Sequence, residues 1–435
     1  MTISYESRWG TRRVKTLTTK IGSGKTPSGG SESYLASGVT FLRSQNVHFD
    51  GLRLDDVAYI SEVTHREMRG TRVKPNDVLL NITGASLGRV SRVPEDLGEA
   101  NVNQHVCIIR PNVEANARYL AYALSSQPVQ EQISELQVGG NREGLNFEQV
   151  GNLNVPAALS EEQRRIADFL DAETARIDAL ARRRRVQQHL LVERRAALKT
   201  KCVTYSGPRK VHHPLLGDTH PDWQIRPLRR VLPAVNVGVV INPSHHFTES
   251  GVPFIHGFNV REGFISSADM KFMSSESNEL HKRSRVLTGD VLVVRAGATA
   301  GRAARVSEEF DGANCASVLI LRKSETLDAA YLETFFNAVP GKGQVSFSQY
   351  GAAQEVISAG QVSSFSIALP PISEQVERVA ELSAATAETV ALEAGLTRQV
   401  ALLSERRQAL ITAAVTGQFD VSTASGRNVT DGVTA

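Results

Sequence analysis

Between residues 160 and 201, apolar side chains recur at roughly every third or fourth position: Ile166, Phe169, Leu170, Ile177, Leu180, Leu190, Leu191 and Leu198. That spacing lays one apolar stripe along a helix. The stretch holds no Gly and no Pro, and Ala, Leu, Arg, Glu and Gln fill most of it. Ser160 with Gln163 reads as a capping box at its start. Gly207-Pro208 marks the latest stop. Such a helix is roughly 60 Å long and needs a partner along its stripe. A second run, 373–416, supplies one. Its Val379, Leu382, Leu396, Val400, Leu403 and Leu410 follow one seven-residue repeat. Thr386, Thr389, Glu393 and Arg407 share that seam, and Gly395 weakens the run locally. The pattern predicts two antiparallel helices, coiled-coil-like at their ends and polar in the middle.

Shorter apolar, β-branched runs predict strands at 77–82, 105–109, 290–294 and 317–321. They occur in pairs because the chain repeats itself. At a shift of about 213 residues, GVTFLRSQNV (38–47) meets GVPFIHGFNV (251–260). NDVLLNITGASLGRV (76–90) meets GDVLVVRAGATAGRA (289–303), and ALSEEQRRIADFL (158–170) meets PISEQVERVAELS (371–383). ERRAALKTKCVT (193–204) meets ERRQALITAAVT (405–416), and Trp9 falls near Trp223. The predicted class is α+β. Two similar mixed α/β domains, each on a curved sheet, are joined by two long antiparallel helices in an internal two-fold repeat. The boundaries read as a globular domain at 1–157, a long helix at 158–204, a second domain at 205–368 and a second helix at 369–420. The Gly- and Pro-bearing stretch 205–222 reads as a linker. The small, polar tail at 421–435 reads as disordered.

Composition narrows the class. The 435 residues suffice for two or three domains, and 41% apolar content supports ordinary cores. No run approaches the length of a membrane span, and the N-terminus lacks a secretory apolar core. Cys107, Cys202 and Cys315 are far apart and form neither a zinc spacing nor a disulfide framework. A reducing cytoplasm is the simplest home. A net charge of +3 neither demands nor excludes a nucleic-acid partner.

Several stretches offer chemistry. IGSGKT (21–26) resembles a phosphate loop, but that motif requires glycine where Thr19 stands. As a loop, it offers Ser23, Lys25 and Thr26 to a DNA backbone. Gly84-x-x-x-Gly88-Arg89 recurs as Gly297-x-x-x-Gly301-Arg302. The glycines read as turn formers, while Arg89 and Arg302 are either phosphate contacts or solvated charges. Asn103, Gln104 and His105 form a polar cluster, and Asn and Gln can read adenine edges. In the second half the cluster becomes Cys315-Ala316-Ser317, whereas Asn101 and Asn314 are shared. Arg43-Ser44-Gln45 likewise faces His256-Gly257-Phe258. Between the halves, shared residues read as scaffold and differing ones as specificity. Arg43, Gln45 and His256 therefore join the candidates. Further second-half candidates are Asn236, His245, His246 and Arg295, with 344–354 as another loop. Arg182, Arg183, Arg184 and Arg185 make the first helix basic, for phosphate or partner contact or as a solvated face. No metal-ligand spacing, serine-hydrolase elbow or amino-methyltransferase motif is present.

Taken together, NDVLLNITGASLGRV, ANVNQHVCIIRPN, the two helix openings and ERRQALITAAVTGQFDV resemble the specificity subunit of Type I restriction-modification systems. The resemblance runs over about 9–420, in duplicate. It implies two target-recognition domains, each reading one half of a split DNA site, held apart by the long helices. It implies docking of two modification subunits that bind S-adenosylmethionine and methylate adenine. It also implies a restriction subunit using ATP and Mg. No cofactor is expected on this chain itself. The rival readings are a helical protein-interaction scaffold and a nucleotide-driven enzyme using 23–26.

Overall fold

A computed structural model describes residues 7–137, 144–205, 207–239, 247–349 and 356–422. The chain divides into two compact units. One takes the chain up to Arg185 and from Arg398 onward; the other is Val186–Thr397. Each unit thus contains one globular part, half of its own long helix and half of the other repeat's helix.

The apolar strand runs form the centre of each unit. In the first, an antiparallel sheet runs in the order Thr18–Ser23, Val106–Pro111, Val78–Asn81, Val90–Arg92. Val78, Leu80, Cys107 and Ile109 face one core, with Tyr119, Leu120 and Leu124 of helix Ala117–Ser125. Leu79, Val106 and Ile108 face another, with Leu42 and Val102. Burial on both faces explains runs that are continuously apolar rather than alternating. A second small sheet joins Ala58–Ile60, Val39–Leu42 and Ala100–Val102, the last pair parallel. The second unit repeats this plan. Its four-stranded antiparallel sheet is Val235–Val237, Val318–Leu321, Val291–Val294, Ala303–Arg305. Its second sheet again contains a parallel pair, Val252–His256 with Asn314–Ala316. In place of the expected single curved sheet, each unit therefore has these two larger sheets, with further two-stranded pairs beside them.

The long helices are Ser160–Val203 and Ile372–Thr416. In the first unit, Ile166, Leu170 and Ile177 share one core with Leu410, Ile411 and Val415. Arg407 is 3.1 Å from Asp178. In the second unit, Cys202 and Val203 share a core with Val379 and Leu382. There Arg195 pairs with Glu393 at 3.0 Å, and Arg378 donates to the helix-end carbonyls of Cys202 (3.3 Å) and Thr204 (3.2 Å). Rising numbers on one helix meet falling numbers on the other, so the pairing is antiparallel. The seam positions predicted for the second helix are buried or half-buried, and Gly395 does not interrupt it.

Three local readings need correction. Leu180 and Leu190 are 39% and 56% exposed, so the first helix has a narrower stripe than its spacing implied. Gln163 makes no capping box with Ser160. It is buried, accepts from the Asn116 N–H at 2.8 Å and donates to Ala158 O at 2.9 Å. Gln375 repeats this with Asp328 N–H (2.8 Å) and Pro370 O (2.9 Å). A buried carboxamide answers orphan backbone groups across an element boundary better than it caps its own helix. The expected linker contains a hairpin, Val211–His213 with Gly217–Thr219, tied in by Tyr205 N–H to Asp218 O at 2.8 Å. Residues 423–435 of the expected disordered tail lie outside the described residues.

Candidate nucleic-acid interface

In the first unit, strand pairing lays 23–26 alongside 102–106. Gly24 N–H donates to Val106 O at 3.2 Å, and Lys25 N–H to Val102 O at 3.3 Å. A Cβ on Gly24 would sit 1.7 Å from Val102 O, so only glycine permits this approach. Ser23, Lys25 and Thr26 are thereby brought beside Asn103, Gln104 and His105. The Thr26 hydroxyl donates to the Gln104 carboxamide oxygen. Gln104 Nε2 lies 3.1 Å from His105 Nε2, and His105 Nδ1 lies 2.6 Å from Thr83 Oγ1. Asn103 N–H donates to Leu42 O at 3.0 Å, which brings in 43–45. Asn81 Nδ2 donates to Ser44 O at 2.7 Å and ties the edge to the central sheet. Arg89 sits half-buried where the turn after that strand closes back on Asn81. Gly84 and Gly88 both have positive φ, as do Gly297 and Gly301, so these glycines are turn formers.

Two of these candidates play other parts. Asn103 is 7% exposed and its Oδ1 accepts the His105 N–H at 3.1 Å. It shapes the turn and presents little to a ligand. The Arg43 guanidinium donates to Asp56 O at 3.1 Å and lies over the Tyr34 ring at 5.6 Å. It is committed to the protein. Lys25, Gln45 and Gln104 remain exposed. Asn101 is buried scaffold, donating to Met68 O (2.9 Å) and Thr71 Oγ1 (2.7 Å). Asn314 does the same work through Asn278 and His281 O.

The second unit gathers the equivalent segments. Gly238 N–H donates to Val318 O at 3.0 Å, Val239 N–H to Cys315 O at 2.7 Å, and Arg295 N–H to Ser317 O at 3.3 Å. His256 pairs with Ala316 at the ends of the parallel strands. Asn236, His256, Arg295 and Arg302 are all half-buried. Arg295 Nε donates to Ile357 O at 3.3 Å, which occupies part of its fork. Burial pushes the His256 imidazole below its ordinary range, favouring the neutral ring. His245 and His246 lie outside the described residues. Phe258, the third residue of the differing triplet His256-Gly257-Phe258, is 51% exposed beside His256, although only His256 of that triplet stands among the candidates.

The arginine run lies elsewhere, on the first long helix. Arg182, Arg183 and Arg185 are exposed and Arg184 is half-buried. Arg182 borders a groove lined by Phe49, Leu52, Tyr122 and Arg407. Among the described residues, no group of His, Cys, Asp and Glu is placed to hold a metal ion. No helix among them is long and apolar enough to cross a membrane.

The chain is a scaffold built twice, with unlike exposed side chains on its two edges. The chain belongs to the family of the Type I restriction modification DNA specificity domain, whose model matches it twice, at residues 7–187 and 222–402. It is 22% identical to the Type I restriction enzyme EcoKI specificity subunit of Escherichia coli (strain K12) over 397 residues, 87% of this chain and 82% of that protein. It is likewise 22% identical to the StySPI specificity subunit of Salmonella potsdam over 423 residues, 94% of this chain and 89% of that protein. A solved chain, from work on complex assembly and conformational transition of the type I R-M system, overlays with a TM-score of 0.66. That likeness has 18% identity and covers 96% of this chain and 100% of the other, so it bears on the fold alone.

Proposed function

We propose that this chain is the non-catalytic, sequence-specific DNA-recognition subunit of a Type I restriction-modification complex, and that it reads a split, asymmetric duplex target. Each unit reads one half-site, through the edge built from 23–26, 43–45, 83–89 and 103–105 or its counterpart. The observation that carries this is the edge itself. Its backbone framework is built twice, while the exposed side chains differ. A reader with two unlike faces on one chain needs no palindrome. We place the recognition domains at 1–157 and 205–368 and the spacing helices at 158–204 and 369–420.

In this reading the helices fix the spacing of the half-sites and dock two copies of a modification subunit. S-adenosylmethionine and adenine methylation belong to those partners. ATP and Mg belong to a restriction subunit. The complex works in the cytoplasm. Side chains on the edge supply base contacts, and Lys25, Arg89, Arg302 and the 182–185 run supply phosphate contacts.

Domain exchange tests the proposal. Residues 1–157 are replaced by the corresponding segment of a differently targeted relative, and adenine methylation is mapped across the genome. One half of the split motif changes and the other stays. Change in both halves, or in neither, overturns the modular reading. Loss of all sequence selectivity, with the partner subunits still assembled, favours a protein-interaction scaffold.

A further inference from the structure

Phe258 stands where the first unit has Gln45. Gln45 is exposed, and its Nε2 donates to Asp56 Oδ2 at 2.6 Å. That position is polar in the first unit. In the second it carries a large apolar ring on a polar edge. Burying such a ring is favourable, so leaving it half in water forgoes stability.

The ring is held in place. It belongs to the short turn Gly257–Asn259. Asn259 is fully buried, donates to Ser266 O (3.1 Å) and Ala268 O (2.9 Å), and accepts the His256 N–H at 3.0 Å. The His256 ring stacks on Phe258, with centroids 5.2 Å apart and planes 11° from parallel. His256 in turn rests on buried Phe254 at 5.0 Å and on Phe247 at 5.7 Å. A column of rings therefore runs from the core to the surface. Half-buried among these rings, His256 acts as the packing layer beneath Phe258.

In the major groove, the apolar feature of a base edge is the 5-methyl group of thymine, and Phe is among the side chains that contact it. We infer that Phe258 reads a thymine methyl in the half-site of the second unit, with His256 as its positioning residue. This rests on the DNA-recognition reading above. It adds that the two units use different chemistry at one equivalent position: a carboxamide in the first and an aromatic ring in the second.

The test uses the full chain assembled with its modification subunits and duplexes carrying the mapped target. Each thymine of the second half-site is replaced, one at a time, by deoxyuracil, which removes only the methyl. At one position binding weakens about fourfold, the worth of one buried methyl group. Phe258→Ala abolishes the difference between thymine and deoxyuracil at that position, and Phe258→Leu retains part of it. The loss of binding on changing a base pair of the first half-site is the same in both variants as in the unsubstituted chain, which reports that the chain is folded. The inference is overturned if no thymine in that half-site is methyl-sensitive, or if the sensitivity survives Phe258→Ala. It is also overturned if Phe258→Ala impairs subunit assembly but not target discrimination, which would make the ring a partner contact. Absence of any split target would instead defeat the underlying DNA-recognition reading.

Discussion

Gln375 offers the sharpest test of how a recognition domain is joined to its helix. It is fully buried at the start of the second long helix. Its Oε1 accepts the Asp328 N–H at 2.8 Å, and its Nε2 donates to Pro370 O at 2.9 Å and Thr326 O at 3.2 Å. Gln375→Leu keeps the approximate volume and removes all three bonds. A buried donor left unsatisfied costs about 1–3 kcal/mol. Carbonyls tolerate under-satisfaction better than N–H groups. We therefore expect a loss of about 2–4 kcal/mol, dominated by the orphaned Asp328 amide. Asp328 also caps helix Ala329–Asn337 through its carboxylate, so the damage should spread into that helix.

Hydrogen exchange measured by mass spectrometry on the full chain reads this locally. Exchange should accelerate in 326–337 and 372–380, while 116–125 keeps its protection. Gln163→Leu should give the mirror result in the first unit. Gln375→Glu adds a check of sign. Its carboxylate would face two carbonyl oxygens, raising its folded pKa above the unfolded value near 4.3. Its contribution is then fully present below that unfolded value and is lost as pH rises through the folded one. A cost below about 0.5 kcal/mol would refute the joint, since that is the range of ordinary surface substitutions. So would equal changes in both units.

Two further outcomes are expected. Glu262 is held by Lys199 and Lys342, both at 2.7 Å. Burial opposes its ionisation, but hydrogen bonds and charge from the two lysines outweigh it, and its pKa falls to about 2. The stability it adds is present above the ordinary glutamate range and is lost as pH falls through about 2. Because the group is a third exposed, Glu262→Gln should cost no more than about 1 kcal/mol near pH 7, with the gap to the unsubstituted chain closing in acid titrations of unfolding. If 182–185 meets phosphates, replacing all four arginines by Gln should reduce the slope of log K against log salt by about 3–4. An unchanged slope excludes phosphate contact by this run.

Much of the fold was legible because it rests on periodicity. The long helices, the strand pairs and the duplication are all visible in spacing. Tertiary facts were less visible. Ser160 and Gln163 stand at capping-box spacing, but a buried glutamine serves the neighbouring element instead. Leu180 and Leu190 continue a helical period yet face water, because the partner helix covers only a narrow stripe. Gly and Pro in 205–222 marked turns correctly but concealed a hairpin. At the interface, composition identified the polar cluster, whereas exposure separated its members. Asn103 and Arg43 are spent on the protein, while Gln104 and Gln45 stay exposed. No residue-type argument separates Asn103 from Gln104.

The two units also show why exposed edge and buried scaffold can vary separately. The paired buried groups are retained in both: Asp77 with Arg110 at 2.7 Å and Asp290 with Arg322 at 2.6 Å, Asn101 and Asn314, Asn46 and Asn259, Gln163 and Gln375. Removing one partner of such a set strands a buried charge or amide, at about 1–3 kcal/mol or more. Exposed edge residues carry no such cost, and surface changes usually fall within about 0.5 kcal/mol. Gln45 can therefore stand opposite Phe258, and Gln104 opposite Ser317, on one framework. Each unit also has a short hairpin, Val47–His48 with Gly51–Leu52 and Val260–Arg261 with Phe264–Ile265, and its contact with a long helix differs chemically. Arg407 donates to Phe49 O at 2.9 Å in the first unit, whereas the second uses the Glu262 lysine pair. Retaining the buried network while varying its rim lets the exposed edge of each unit change without weakening the helices beneath it.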